Sequence, residues 1–132
     1  MNDVILDASA VLALLQRERG HDVVEALLLS GRVCRICSVN LSEVISKLMD
    51  NGLSFSDACA AVRLPNLQIE NFDAALAQLA ASLRPATKAQ GLSLGDRACL
   101  ALGMIAGPAD VYTADAVWKR VSVAGVTVQV VR

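Results

Sequence analysis

The chain has 132 residues, 55% of them apolar, with 12 Lys and Arg against 13 Asp and Glu for a formal net charge of -1. That length suits one domain built around one core, residues 1–132, and no apolar run approaches the roughly 18 residues that a membrane helix needs. The near-neutral balance excludes a general electrostatic pull on nucleic acid, so any such binding has to come from a local patch.

Met1-Asn2-Asp3 carries no basic n-region, so no leader is read there and a cytoplasmic location is the expectation. The short run Asp3 to Asp7, followed by Ser9, predicts a buried strand leading into a helix from Ser9 to about Arg19, which Gly20 stops. A second helix is predicted over Asp22 to Leu29, ending at Ser30-Gly31, and then a strand over Arg32 to Cys37. Cys34-Arg35-Ile36-Cys37 has C-x-x-C spacing, but strand residues three apart point to opposite faces, no second pair exists and His21 lies far away. All four cysteines are therefore read as small core residues in a reducing compartment, not as a zinc site.

Asn40 and Glu43 form an N-x-x-E pattern, predicting a helix opened by Glu43 and running to Asp50, with Gly52 beyond. Ser54 and Asp57 repeat that pattern before a helix over Ala58 to Leu64, and Pro65-Asn66 turns the chain into a short strand, Leu67 to Glu70. A further helix runs from Asp73 to about Arg84, and Pro85 to Gly91 lacks periodicity and reads as a mobile surface loop. Ser93 caps Leu94 to Ala106, a helix apolar nearly all round and so expected deep in the core. Gly107-Pro108 ends it, and strand Asp110 to Ala114, a short helix Ala116 to Val121 and a last strand Val126 to Val131 complete the chain. Alternating strands and helices predict a three-layer α/β/α sandwich around a mainly parallel five-stranded sheet.

Four acids stand at strand ends or helix starts: Asp7, Glu43, Asp96 and Asp115. Taken singly, Glu43 reads as the partner of an Asn40 cap, Asp96 as a first-turn anion favoured by the helix dipole, and Asp7 as a cap for the helix near Ser9. Asp7 and Asp115, however, sit at the carboxyl ends of their strands, where ligands bind in open α/β sheets. Two carboxylates about 4 Å apart repel by about 4 kcal/mol at an effective dielectric near 20, so a cluster of four calls for a cation. An all-oxygen set suits Mg²⁺ or Mn²⁺, and water bound to such an ion can hydrolyse a phosphodiester. Ser9 and Thr113 are accessory hydroxyls, with a cap and a plain strand residue as their alternatives. Arg97, Lys119 and Arg120 are candidate phosphate contacts, weighed against ordinary solvent exposure. Trp118 reads as a core residue first and a base-stacking platform second.

The segments Val4-Ile5-Leu6-Asp7-Ala8-Ser9-Ala10, Asn40-Leu41-Ser42-Glu43-Val44, Gly91-Leu92-Ser93-Leu94-Gly95-Asp96-Arg97-Ala98 and Tyr112-Thr113-Ala114-Asp115 together resemble the PIN domain, in particular VapC-type toxins. The resemblance implies a metal-dependent endoribonuclease of a type II toxin-antitoxin pair, its acidic residues matching Asp7, Glu43, Asp96 and Asp115, with Ser9 and Thr113 at accessory positions. It also implies a parallel five-stranded sheet, a homodimer, an RNA substrate and a VapB-like antitoxin whose C-terminal segment covers the acidic groove. Apolar positions over the first two helices and Val44 to Met49 offer such a partner a groove, with core packing as their default use. Competing readings are a PIN-like scaffold that binds partners without catalysis and a phosphoaccepting receiver module. The receiver would need adjacent acids after the first strand and a lysine ending a late strand. A haloacid-dehalogenase-like phosphatase would need an acid where Ser9 stands.

Overall fold

The computed structural model describes all residues, 1–132. The chain runs β1 (Asp3–Leu6), α1 (Ala8–Leu15), α2 (His21–Leu29), β2 (Cys34–Cys37), α3 (Ser38–Asp50), α4 (Phe55–Ala61) and β3 (Leu67–Glu70). It continues with α5 (Ala74–Ser82), α6 (Arg84–Thr87), α7 (Leu94–Ala106), β4 (Ala109–Thr113), a 3₁₀ turn (Ala116–Arg120) and β5 (Val126–Val130). The five strands form one sheet in the order β3-β2-β1-β4-β5, with every pair parallel. No helix is long and apolar enough to cross a membrane.

Strand alternation divides the core in two. Val4, Leu6, Cys34 and Ile36 face one side, where they meet buried residues of α1 to α4 such as Val11, Val24, Leu28, Val44 and Leu48. Ile5, Cys37, Ala109 and Val111 face the other, against Leu76 and Ala80 of α5, Ala98 to Leu102 of α7 and Trp118. Cys34 and Cys37 thus lie on opposite faces, as the period of two requires. Burial pushes the Cys34, Cys37 and Cys99 thiols up, away from the thiolate that zinc needs. Cys59 departs from the core expectation, being only half-buried.

Chain direction is what prepares a site. In parallel α/β units the helices run against the strands, so helix starts gather at the strands' carboxyl edge. The sheet order also reverses there: from β1 the chain adds β2 and β3 on one side, then returns to place β4 on the other. The crevice between the ends of β1 and β4 is therefore the topological switch point.

Two sequence expectations are corrected. Helix α3 begins at Ser38 with Cys37 in the N-cap position, so Asn40 is not its cap and Glu43 stands in the second turn rather than at the opening. The start follows directly from the end of β2, with no room for a linker. Pro85 to Gly91 is partly ordered by α6, because buried Thr87 donates to the Leu83 carbonyl and its own carbonyl accepts from the Leu92 N–H. Val44 and Leu48 take their default use, burial in the core.

Candidate active site

Asp7, Ala8, Ser9, Leu12, Glu43, Lys47, Asp96 and Asp115 line one groove of about 280 Å³ at this carboxyl edge. Asp7 follows β1 at the N-cap position of α1, yet its carboxylate makes no capping bond, which removes its bland alternative. Instead, Ser9 Oγ donates to Asp7 Oδ2 at 2.6 Å and Thr113 Oγ1 donates to the same oxygen at 2.9 Å. The hydroxyls in turn accept from the backbone: Ala114 N–H to Ser9 Oγ at 2.8 Å, and Asp115 N–H to Thr113 Oγ1 at 3.1 Å. One chain of bonds therefore runs from β1 to the end of β4 and fixes the carboxylate in rotation.

Burial raises the Asp7 carboxyl from its ordinary 3.8 to about 6, against the lowering effect of the two hydroxyl donors, and the nearby Asp96 charge adds to the rise. Burial also raises Glu43, and Asp96 again contributes. Both shifts have the sign expected of desolvated carboxylates held near one another.

Asp96 sits in the first turn of α7 as half of a capping box: its Oδ2 accepts from Ser93 N–H at 2.9 Å, and Ser93 Oγ accepts from Asp96 N–H at 3.2 Å. Asp115 caps the 3₁₀ turn, its Oδ1 accepting from Val117 N–H at 3.0 Å. Each of these carboxylates is thus steadied through one oxygen while it lines the groove. Glu43 Oε1 accepts from Asn40 Nδ2 at 2.8 Å.

The remaining candidates lie elsewhere. Arg97 donates to the Ala80 carbonyl at 3.2 Å, fastening α7 to α5, and does not line the groove. Lys119 and Arg120, exposed at the end of the 3₁₀ turn, do not line it either. The cation that does is Lys47, four residues beyond Glu43 on α3 and absent from every ion pair of the structure. Its i, i+4 spacing from Glu43 on one helix was the available signal. Trp118 is fully buried in the core and offers no stacking face.

The donors fit a hard divalent cation, since carboxylates and a hydroxyl line the groove and no thiol or imidazole does. No three acids converge closely enough to encage an ion by themselves.

The sequence matches the family model of the PIN domain over residues 4–124. No curated protein matches it in sequence. Among solved structures, it is similar to VapC20 of Mycobacterium tuberculosis, described as a sarcin-ricin loop cleaving toxin, at 21% identity and a TM-score of 0.70 over 86% of this chain and 90% of that one. It is also similar to DNA-bound VapBC from Salmonella typhimurium, at 17% identity and a TM-score of 0.71 over 100% of both chains. A third likeness is VapBC2 from Rickettsia felis bound to a DNA fragment from its promoter, at 19% identity and a TM-score of 0.68 over 96% of both. At these identities the likeness speaks for the fold.

Proposed function

The chain belongs to the PIN-domain family, and from that footing we propose that it is a Mg²⁺-dependent endoribonuclease, the toxin of a type II toxin-antitoxin pair, with residues 1–132 acting as one nuclease domain. One observation carries the reading: Asp7, Glu43, Asp96 and Asp115 line a single groove at the switch point of the sheet, with Asp7 desolvated and its pKa pushed to about 6. Clustered like charge of this kind is unfavourable unless a cation neutralises it. A partner-binding scaffold has no use for it, and a receiver module would want a lysine where β4 ends in Thr113.

In this reading one or two of the four carboxylates would hold Mg²⁺ directly and the others would reach it through its waters, with Mn²⁺ able to substitute. The bound ion supplies Lewis acidity toward the scissile phosphate and its attacking water. Ser9 and Thr113 keep Asp7 in one orientation by donating to Oδ2, which leaves Oδ1 free of hydroxyl donors. Lys47, on the wall of the groove, binds a phosphate of the RNA and offsets its charge beside the acids. This local cation answers the absence of any net positive charge on the chain.

A VapB-like antitoxin is the proposed partner, in keeping with the VapBC complexes to which the fold is similar. An apolar groove of about 340 Å³ between Leu14, Leu15, Leu28, Leu29, Leu64 and Pro65 provides a seat for a hydrophobic segment, with Arg17 and Glu25 at its rim. Exposed Met49, Leu53 and Phe55 near the α3–α4 turn provide apolar surface for a homodimer. The deciding experiment is RNA cleavage by purified protein, with discrete new 5′ ends mapped in the presence of Mg²⁺. Cleavage is expected to stop in excess EDTA, return with Mg²⁺ or Mn²⁺, and be missing from Asp7→Ala and Asp96→Ala. Undiminished cutting in EDTA would falsify the proposal.

A further inference from the structure

Asn40 is fully buried in the first turn of α3, an unusual position for an amide unless its donors are used. Its Nδ2 donates to Glu43 Oε1 at 2.8 Å and to the Gly95 carbonyl of α7 at 3.0 Å. Its Oδ1 is buried without a partner. An apolar side chain would avoid that unpaired acceptor, so what the amide contributes lies in its two donated bonds.

Gly95 supplies an independent observation. It lies within α7, where glycine is disfavoured relative to alanine, and its backbone has no positive φ that would call for glycine. A Cβ at this position would come within 2.5 Å of Glu43 Oε1 and 2.6 Å of Oε2. The missing side chain is thus the space in which the Glu43 carboxylate rests, over the first turn of α7 where free N–H groups favour an anion.

We infer that Asn40 and Gly95 are positioning residues that clamp the Glu43 carboxylate between α3 and α7, presenting it beside Asp96 in one orientation. The clamp builds on the metal-dependent reading of the groove. A glutamate has three rotatable bonds and loses much of its freedom when ordered. Asn40 restrains it through a hydrogen bond and Gly95 through clearance, so the orientation exists before any ion arrives. Such outer partners typically change metal affinity or activity by about 10–100-fold when removed.

The test uses Asn40→Leu, close in volume, and Gly95→Ala, which favours the helix, each alone and combined with Glu43→Ala. Two quantities are read: Mn²⁺ affinity by titration, and the Glu43 side-chain carboxyl carbon resonance in the metal-free protein. Circular dichroism monitors the fold. Both single variants are expected to shift the Glu43 resonance and to weaken Mn²⁺ binding by about tenfold or more. In the Glu43→Ala background neither should weaken it further, because the clamp acts only through that carboxylate. Unshifted resonances with wild-type affinity, or an equal loss of affinity in the Glu43→Ala background, overturn the clamp. Wild-type protein that binds no Mn²⁺ overturns the nuclease reading instead, and the clamp is then decided by the Glu43 resonance.

Discussion

Asp7 is a carboxylate whose environment favours its neutral form. The folded protein holds this proton with a pKa of about 6 against an ordinary 3.8. Between roughly pH 4 and 6 the folded state therefore binds more protons than the unfolded chain, and metal-free stability falls as pH rises through that window. The displacement corresponds to on the order of 3 kcal/mol, fully lost above the folded value. Asp7→Asn should flatten this slope and raise the metal-free melting temperature at pH 7.5 while abolishing cleavage. Thermal melts across pH 4 to 8 check it, and an unchanged slope would count against Asp7 as its source. A cation must displace the same proton, so Mn²⁺ affinity should decline below about pH 6. Lys47 tests the substrate side. Lys47→Ala should raise KM for RNA more than it lowers kcat and should reduce the salt dependence of binding, whereas an unchanged KM would exclude phosphate contact.

The acids owe their approach to the elements that carry them. In the capping box of α7 the Ser93 N–H holds the Asp96 carboxylate and Ser93 Oγ accepts from Asp96 N–H; Ser93→Ala removes the second bond and loosens the turn that presents the first, so it should lower stability by about 1 kcal/mol and also weaken Mn²⁺ binding. Chemical denaturation beside a metal titration separates the two effects, and a loss of stability with metal affinity intact would mean that the cap is structural only. Farther along α7, Gly103 allows the helix to lie close on the sheet: a Cβ there would meet Val111 Cγ2 at 2.8 Å and Val126 Cγ2 at 3.2 Å. Gly103→Val should destabilise by about 1–3 kcal/mol through overpacking, and a neutral denaturation midpoint would show that the β4–β5 side can yield.

Across the whole molecule, the acid groove and the apolar groove have separate linings. Leu29, 72% exposed on α2, belongs to the latter. Leu29→Glu should therefore weaken capture of a VapB-like partner and leave RNA cleavage by the free protein intact. Pull-down with a co-expressed VapB-like protein, run beside a cleavage assay, checks this, and joint loss of both activities would refute the separation. Ligand binding should also stabilise the fold as a whole, with Mn²⁺ raising the melting temperature and EDTA reversing the rise.

Much of this architecture is written in short stretches of chain. The alternation around Val4, Ile5 and Leu6, the Ser54 and Ser93 caps and the unbroken apolar run of α7 each depend on near neighbours, so their elements were readable before any contact was known. The N-x-x-E pattern at Asn40 misled for the same local reason. It resembles a cap, but the end of β2 places the cap three residues earlier, at Cys37, and turns the amide inward toward Gly95. Arg97 is adjacent to Asp96 in sequence and yet points to Ala80, because successive helical residues lie on different faces. The sequence by itself determined most of the elements, their parallel alternation and the four acids that the structure brings to one groove. Only the tertiary structure decided that Thr113 reaches Asp7 across 106 positions, that Asp7 loses its water, and that Lys47 is the cation on the groove wall. The physical reason is that helix and strand patterns arise from neighbours along the chain, whereas hydration and cross-sheet bonds depend on which strand ends the sheet order brings side by side.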